Sequence, residues 1–325
     1  MRRRTDVAVV RSLLSLVSPA GSGGRLSILV FHRVLAAPDP LFPGEVDAVM
    51  FDRTCGWLAD WFKVLPLDQA VRQLRQGSLP ARALAITFDD GYADNHRVAL
   101  PILQRHGLSA TFYITTGFLD GGRMWNDTVI ESVRRCTQPG LDLRSLQLDG
   151  LQQLPLDTLE QRRAAIAAII DRIKYLPVAE RLQTVGMLAE LSGARLPDDL
   201  MMTTAQVRAM HQAGMLIGAH TVSHPILAQL DAASVRREIE QSRQTLEGLT
   251  GEPVSQFAYP NGVPGRDYSE QTTAVVRELG FEGAVTTGWG AARSSSDCLQ
   301  LPRFSPWDRT PLRYAARMAR NLWTS

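Results

Sequence analysis

Ala83-Leu84-Ala85-Ile86-Thr87-Phe88-Asp89-Asp90-Gly91-Tyr92 is the stretch from which the rest of this sequence is best interpreted. Its first residues are mostly apolar, with β-branched side chains among them, which predicts a short buried strand. The strand runs directly into Asp89 and Asp90, whose like charges are costly side by side unless a cation binds or one is neutralised. Gly91 permits a sharp turn at this point. One carboxylate could therefore hold a cation while the other acts as a base, or the aspartates could simply favour a turn.

Length and composition describe a chain that can bury a large core. The chain has 325 residues, of which 45% are hydrophobic, enough for one large α/β domain or two smaller ones. Its 35 basic and 33 acidic residues give a formal net charge of +2, so no nucleic-acid partner is expected. The three cysteines, Cys55, Cys136 and Cys298, are scattered without metal-ligand spacing, which is typical of a reducing compartment. We therefore expect a cytoplasmic location.

Residues 1–25 form an N-terminal segment that precedes the main domain. Three arginines at positions 2–4 precede apolar residues, as in a signal peptide, but Asp6 and Arg11 interrupt the pattern and the apolar run is too short to span a bilayer. The spacing instead predicts an amphipathic helix, followed by a Pro/Gly/Ser linker at 18–24. This helix either makes peripheral contact with an anionic membrane surface or packs on the domain.

Strands alternate with helices through most of the remaining chain, an order that is typical of a parallel sheet. The first predicted strand, residues 26–31, ends at His32. The alternation stops between about 121 and 199, where the sequence predicts a helical insertion. The other predicted segments are strands at 110–115, 215–219, 256–259, 283–287 and 299–304, insertion helices near 126–136, 157–175 and 178–192, and a C-terminal helix over 311–325.

Two histidines follow the strand predicted at 215–219. His220 and His224 stand at positions i and i+4, so they share one face if the loop makes a single helical turn. This is ligand spacing for a transition metal, although a chain with six histidines could also contain such a pair by chance. The helix predicted at 231–249 follows, with Glu238 expected on its solvated face. The histidines, like the two aspartates, thus stand at the C-terminal end of a strand, the end that builds the active site in barrel-like α/β folds.

These motifs resemble those of the polysaccharide deacetylases of carbohydrate esterase family 4, the NodB-homology domain. Thr87-Phe88-Asp89-Asp90-Gly91 is similar to the first motif of the family, and His220-Thr221-Val222-Ser223-His224 is similar to the second. The resemblance covers about residues 26–305 apart from the insertion. It implies an α/β fold, a distorted (β/α) barrel of about seven strands, with the barrel domain over 26–310.

The resemblance also implies metal-dependent hydrolysis. Asp90, His220 and His224 would hold a divalent ion, and Asp89 would be the general base. Two imidazoles and one carboxylate leave open positions on such an ion, for which zinc is expected and cobalt or nickel are the alternatives. The ion would polarise the acyl oxygen and activate a water whose proton Asp89 accepts. The oxyanion also needs a backbone N–H, which by resemblance comes from Asn261.

Further side chains are expected to contact the substrate or the oxyanion. Trp125 and Asn126 open the insertion just beyond a strand end, where they either line a sugar pocket or only begin the next helix. We expect the pocket. The other candidates are Tyr259, Pro260, Asn261 and Arg303.

The sequence departs from the family pattern at two positions. The third motif of many members supplies an arginine that orients the base, whereas the corresponding residue here is Ala258. A late histidine after a leucine usually serves as general acid, whereas Leu301-Pro302-Arg303 offers an arginine that cannot release a proton near neutral pH. Because His32 also ends a core strand, a parallel barrel would place it on the same face as Asp89. His32 then either donates the missing proton or only hydrogen-bonds the neighbouring loop.

We therefore expect a metal-dependent polysaccharide deacetylase of carbohydrate and exopolysaccharide metabolism. Its substrate would be an N-acetylated or O-acetylated amino-sugar glycan or a lipid-linked precursor. Two alternatives are a related amidase or deformylase that acts on a non-acetyl C–N bond, and a carbohydrate-binding relative without activity. The presence of Asp89 beside Asp90 argues against the last, because a binding protein needs no general base.

Overall fold

A parallel curled sheet forms the centre of the molecule. The computed structural model describes residues 2–324, with side chains from Val7 onward. The strands are β1 (Ser27–Phe31), β2 (Lys63–Val64), β3 (Ala83–Phe88), β4 (Thr111–Ile114), β5 (Gly140–Asp142), β6 (Gln153–Pro155), β7 (Leu216–Ala219), β8 (Gln256–Ala258) and β9 (Gly283–Val285). Seven of them form the central sheet in the order β1-β3-β4-β7-β8-β9, with β2 paired to the first residues of β3. Every pair in this sheet is parallel, so all the strands end at the same edge.

Eleven α-helices surround the sheet within the described residues. They are α1 (Arg2–Val17), α2 (Ala48–Trp61), α3 (Leu67–Arg75), α4 (Leu100–Arg105), α5 (Trp125–Arg135), α6 (Leu159–Ile173), α7 (Val178–Ser192), α8 (Thr204–Gln212), α9 (Ala232–Thr250), α10 (Glu270–Glu278) and α11 (Pro311–Thr324). Because successive strand residues point to opposite faces, β3 divides its side chains between two cores. Leu84 and Ile86 pack in the larger cluster with α2, α4 and α9. Ala85 packs in a second cluster with Tyr113 and the apolar face of α3.

Two isolated bridges join the ends of the sheet. Leu301 bridges to Val285 of β9, and Phe304 bridges to Leu29 of β1, both in parallel. The regular strand predicted at 299–304 is therefore wrong. Pro302 has no N–H to donate to a ladder, and the N–H of Arg303 donates instead to the carbonyl of Gly288 at 2.9 Å. The curled sheet with its surrounding helices confirms the predicted distorted (β/α) barrel.

The insertion has a hydrophobic cluster of its own. Helices α5, α6 and α7 correspond to the three helices predicted between about 121 and 199. Val129, Ile169 and Leu188, one from each helix, are fully buried in this cluster. The antiparallel pair of β5 and β6 is a feature that the sequence did not predict.

The terminal helices pack together on the outside of the barrel. Leu14 of α1 is buried in the large core with Tyr314 and Met318 of α11. This contact agrees with the alternative in which the N-terminal helix packs on the domain. Leu13 and Leu16 on the opposite face of α1 are exposed. The side chains of the arginines at 2–4 lie outside the described part of the chain. Within residues 2–324, no helix has the length and apolar character needed to cross a bilayer. Membrane contact and cytoplasmic location both stay predictions.

Candidate active site

A turn with positive φ angles brings Asp89 and Asp90 to the same end of the barrel. Asp90 has φ +75° and Gly91 has φ +88°, so the chain leaves its extended conformation directly after β3. Glycine adopts this region freely, and aspartate is one of the few other residues that tolerate it. Gly91 also passes close to β4, where an added Cβ would lie 3.2 Å from Cγ2 of Ile114. Both carboxylates are buried.

Asp90, His220 and His224 converge on one point. The Nε2 atoms of the two histidines lie 3.4 Å and 3.5 Å from Oδ1 of Asp90, and all three ligand atoms lie within 4.8 Å of one another. Oδ1 of Asp90 is buried and makes no hydrogen bond among the described residues. A buried oxygen without a donor, facing two imidazole nitrogens, fits a divalent cation with nitrogen and oxygen ligands.

The protonation of the three groups also suits a cation. Nδ1 of His220 lies 2.7 Å from the carbonyl oxygen of Ala258, and since a carbonyl can only accept, this nitrogen carries a proton, which in the neutral imidazole leaves the lone pair on Nε2. Burial lowers the pKa of His224 to about 4, so this imidazole is neutral at pH 7. Burial acts to raise the pKa of Asp90, but the two facing imidazoles, His220 first and then His224, hold it below its usual value.

The histidine loop is not helical, so the two imidazoles do not meet through the single helical turn that their spacing would allow. Residues 220–226 are irregular, and Thr221 and His224 have φ angles of +65° and +53°. Oγ1 of Thr221 accepts a hydrogen bond from the backbone N–H of His224 at 3.1 Å. The two rings still meet, with centroids 4.9 Å apart.

Glu238 on α9 holds this loop in place through hydrogen bonds. Its Oε2 accepts hydrogen bonds from the backbone N–H groups of Val222 and Ser223, both at 2.9 Å, and its Oε1 accepts one from the hydroxyl of Ser223 at 2.6 Å. The prediction that Glu238 belongs to a solvated face is therefore wrong. Only its contacts in the folded chain reveal this function, because its spacing along α9 is that of a surface residue.

Arg303 holds Asp89 from beneath. Its Nη1 and Nη2 donate to Oδ1 and Oδ2 of Asp89, each at 2.7 Å. Nη1 also donates to the hydroxyl of Thr87 at 3.1 Å, and Nε donates to the carbonyl of Thr286 at 2.9 Å. The Arg303 side chain has no exposed surface, so the predicted contact of Arg303 with substrate or oxyanion is wrong. The arginine that is missing at Ala258 is supplied from position 303.

A cavity of about 280 Å³ opens above these residues, and we call it the catalytic cavity. Asp89 and the three converging residues line it together with His32, which is exposed. Asn261 also lines it, with φ +59°, and no described residue accepts a hydrogen bond from its backbone N–H. Tyr259 contributes to the wall, but its hydroxyl donates to the carbonyl of Leu299 at 2.9 Å. Pro260 is buried behind this loop and is not part of the wall.

The insertion supplies the opposite wall. Trp125 and Asn126 both line the catalytic cavity, as the pocket interpretation requires. Lys174 at the end of α6 and Arg181 on α7 line it as well, and neither was predicted as a site residue. Their contribution could not be derived from the sequence, because the helical pattern of the insertion does not show which side meets the barrel.

A second cavity of about 640 Å³ adjoins the first, and His32 and Asp90 border both. Asp127 lines this outer cavity, is buried, and accepts a hydrogen bond from the hydroxyl of Tyr92 at 3.2 Å. Burial raises the pKa of Asp127 to about 7, and the charge of Arg33 only partly opposes the shift. The site therefore contains a carboxyl group that titrates near neutral pH.

Comparisons with known proteins agree with this geometry. A family model described as polysaccharide deacetylase matches residues 76–169 and 183–284, more than half of the chain. The putative polysaccharide deacetylase YxkH of Bacillus subtilis (strain 168) is 21% identical over 281 residues, which cover 86% of this chain and 70% of that protein.

Two solved structures share the fold. The Streptococcus pyogenes deacetylase PplD in complex with acetate has a TM-score of 0.61 at 20% identity, covering 90% of this chain and 98% of the other. IcaB from Ammonifex degensii has a TM-score of 0.60 at 17% identity, covering 93% of this chain and 98% of the other.

Proposed function

The chain belongs to the polysaccharide deacetylase family, hydrolases that act on carbon–nitrogen bonds of acetylated sugars, and from that premise we propose a metal-dependent reaction on an amino-sugar glycan or its lipid-linked precursor. The observation that carries the proposal is the convergence of Asp90, His220 and His224 beside the buried base candidate Asp89. Removal of an N-acetyl group is the main reaction proposed, and an O-acetyl group is the related possibility.

Asp90, His220 and His224 would hold the ion. When bound, a divalent ion polarises the acyl oxygen and lowers the pKa of a water molecule, and zinc is the ion that we propose, with cobalt or nickel as alternatives. The two histidine nitrogens and the free Oδ1 of Asp90 would form the ligand set.

Asp89 would accept the proton of the attacking water. The opposing effects on its pKa are burial, which raises it, and the charge and hydrogen bonds of Arg303, which lower it and prevail. Asp89 is therefore ionised at neutral pH and can act as a base as soon as the water is positioned. The two hydrogen bonds from Arg303 also fix the plane of the carboxylate.

Two further groups would complete the reaction. The free backbone N–H of Asn261 can donate to the oxyanion of the tetrahedral intermediate. His32, at the border of both cavities, can give a proton to the leaving amine. Trp125 and Asn126 would contact the sugar that carries the acetyl group.

The test combines elemental analysis of the purified protein with assays of acetate release. The substrates are chito-oligosaccharides and lipid-linked N-acetylhexosamines, and formate release is measured in parallel to detect a deformylase. Asp89→Asn should keep the ion and lose about 10²–10⁴-fold in turnover, the usual effect of removing a general base. A variant within a few-fold of the wild type would show that Asp89 serves only the turn.

A further inference from the structure

Arg181 is a buried arginine in the wall of the catalytic cavity. Its side chain belongs to the first turn of α7, and the residue is 3% exposed. Nη1 donates to the carbonyl of Lys174 at 2.9 Å, and the guanidinium lies over the ring of Trp125, with Cζ 5.0 Å from the centroid. Nε is buried and has no hydrogen-bond partner. The contacts on one side therefore fix the guanidinium, while the edge formed by Nε and Nη2 stays free.

No carboxylate pairs with Arg181 among the side chains described, those of residues 7–324. Asp89 is paired with Arg303, and Asp90 lies against the two histidines, so neither cavity carboxylate forms an ion pair with Arg181. Burial lowers the pKa of Arg181, and no acidic neighbour opposes the shift. A buried charge without a partner is costly, so its retention in a cavity wall indicates a partner that enters from outside.

Lys174 adds a second cation to the same wall. Lys174 directly follows the last residue of α6 and lines the catalytic cavity, and among the described residues no carboxylate pairs with it. Its only described charge contact is with the ring of Tyr175, 5.7 Å away. A guanidinium edge with two parallel N–H groups matches a carboxylate or phosphate, and a nearby ammonium adds to the attraction.

We propose that Arg181 and Lys174 form an anion subsite, and that the acetylated sugar acted on here carries a carboxylate or phosphate group. This proposal rests on the proposed function and names the class of substrate. The cavity of about 280 Å³ lies near the lower limit of ligand sites, so it accommodates roughly one sugar residue. The anionic group is therefore on the acetylated sugar itself or on the linkage next to it. Either an acidic sugar or a sugar phosphate, such as a lipid-linked precursor, would supply this anionic group.

The test uses sugars without an acetyl group, so that no turnover can occur. Binding of glucose, glucose 1-phosphate and glucuronic acid to the metal-loaded protein is measured by calorimetry. We expect at least one charged sugar to bind about tenfold more tightly than glucose, the effect of one good charge-assisted contact. Preference for glucose 1-phosphate identifies a sugar phosphate, and preference for glucuronic acid identifies an acidic sugar.

Substitutions test which residue causes the preference for charged sugars. Arg181→Met keeps the length of the side chain and should remove the preference, while Arg172→Met, an exposed arginine of the same insertion outside the cavity, should retain it. The melting temperature of Arg181→Met is measured alongside, because the variant also loses the hydrogen bond to Lys174 and the contact with Trp125. Lys174→Gln, on the surface side of the same wall, gives a second reading if Arg181→Met does not fold, and it should weaken the preference.

Three results would overturn the proposal. They are equal binding of charged and neutral sugars by the wild type, a preference that survives in Arg181→Met because the metal alone binds the anion, and a preference that Arg172→Met removes equally. Acetate assays keep the two proposals apart. If the protein prefers charged sugars but releases no acetate, the anion subsite is supported and the deacetylase function is disproved. If it releases acetate but shows no preference for charged sugars, the deacetylase function is supported and the anion subsite is disproved.

Discussion

Arg303 and Asp89 form a bidentate ion pair beneath the catalytic cavity, with Nη1–Oδ1 and Nη2–Oδ2 distances of 2.7 Å. The Arg303 side chain is completely buried and that of Asp89 is 4% exposed. Such a pair does not by itself guarantee stability, because both ions lose their hydration. For the proposed reaction the pair matters in two ways: Asp89, the proposed base, is held in one orientation, and its pKa stays below the usual value in spite of burial.

Replacing Arg303 with methionine should change the pH dependence of activity. Without the guanidinium, burial is no longer opposed, the pKa of Asp89 rises, and the acidic limb of the kcat/KM profile moves to higher pH. Removing one partner of a buried pair also costs about 3–5 kcal/mol in the free energy of unfolding. The profile is measured between pH 5 and 9, with Arg303→Lys as the variant that keeps the charge. An acidic limb at the same pH in Arg303→Met would show that Asp89 is not the base that titrates there.

The same pair makes a prediction for stability. The folded pKa of Asp89 lies below the unfolded value of about 3.9, so its contribution to the free energy of unfolding is present above about pH 4. This contribution is lost as the pH falls through the lower folded pKa. Urea denaturation of the wild type and of Asp89→Asn should therefore differ most near neutral pH and converge in acid. A constant difference across this range would contradict the assignment.

Metal binding should depend on the two histidines together. We expect one divalent ion per chain, and replacement of His220 and His224 by alanine should abolish uptake because one carboxylate alone is a weak ligand set. The ion content of each purified protein is measured by elemental analysis, and a chelator should lower the melting temperature of the wild type but not of the double variant. His211→Ala is the control, since His211 lies on α8 away from the site. An unchanged ion content in the double variant would disprove the ligand assignment.

Glu238→Ala should weaken metal binding without removing a ligand. The variant leaves the N–H groups of Val222 and Ser223 without acceptors, so the loop that carries both histidines loses its support. Loss of such an outer contact typically costs about 10–100-fold in metal affinity. Affinity is measured by competition with a chromogenic chelator, with Glu240→Ala on the same helix as control, and Glu238→Gln should restore part of the affinity. Equal metal affinities of the Glu238→Ala and wild-type proteins would show that Glu238 does not support metal binding.

The sequence predicted the site where short local patterns determine the structure. Asp89, Asp90 and His220 follow buried strands, and parallel strands necessarily bring such positions to one edge of a sheet. The three insertion helices were predictable for a similar reason, because each has an apolar periodicity over many residues.

The contacts that the sequence did not predict are those between distant segments. Arg303 and Asp89 are 214 positions apart, and no local pattern shows that one supports the other. The loop that begins at His220 takes positive φ angles that a non-glycine sequence does not signal. Its conformation depends on acceptors supplied by Glu238, which the spacing along α9 places on the surface.

His32 is the remaining candidate for the proton donor. It is exposed and borders both cavities. Its backbone carbonyl accepts a hydrogen bond from Nδ2 of Asn95 at 2.9 Å, which anchors the main chain and leaves the imidazole free. No described residue hydrogen-bonds to the His32 ring, and the experiment below distinguishes a proton donor from a structural role.

His32→Gln should therefore affect two leaving groups differently. An amine must be protonated to depart, whereas the phenolate of an activated aryl acetate leaves without a proton. We expect the variant to lose about 10²-fold or more in amide deacetylation, the usual contribution of a general acid, and to hydrolyse the aryl ester at nearly the wild-type rate. Both rates are measured on the same preparation with its ion content determined. Equal losses on the two substrates, with the ion retained, would mean that His32 positions the substrate, and Asp127, which titrates near pH 7 in the adjoining cavity, would then be the next residue to replace.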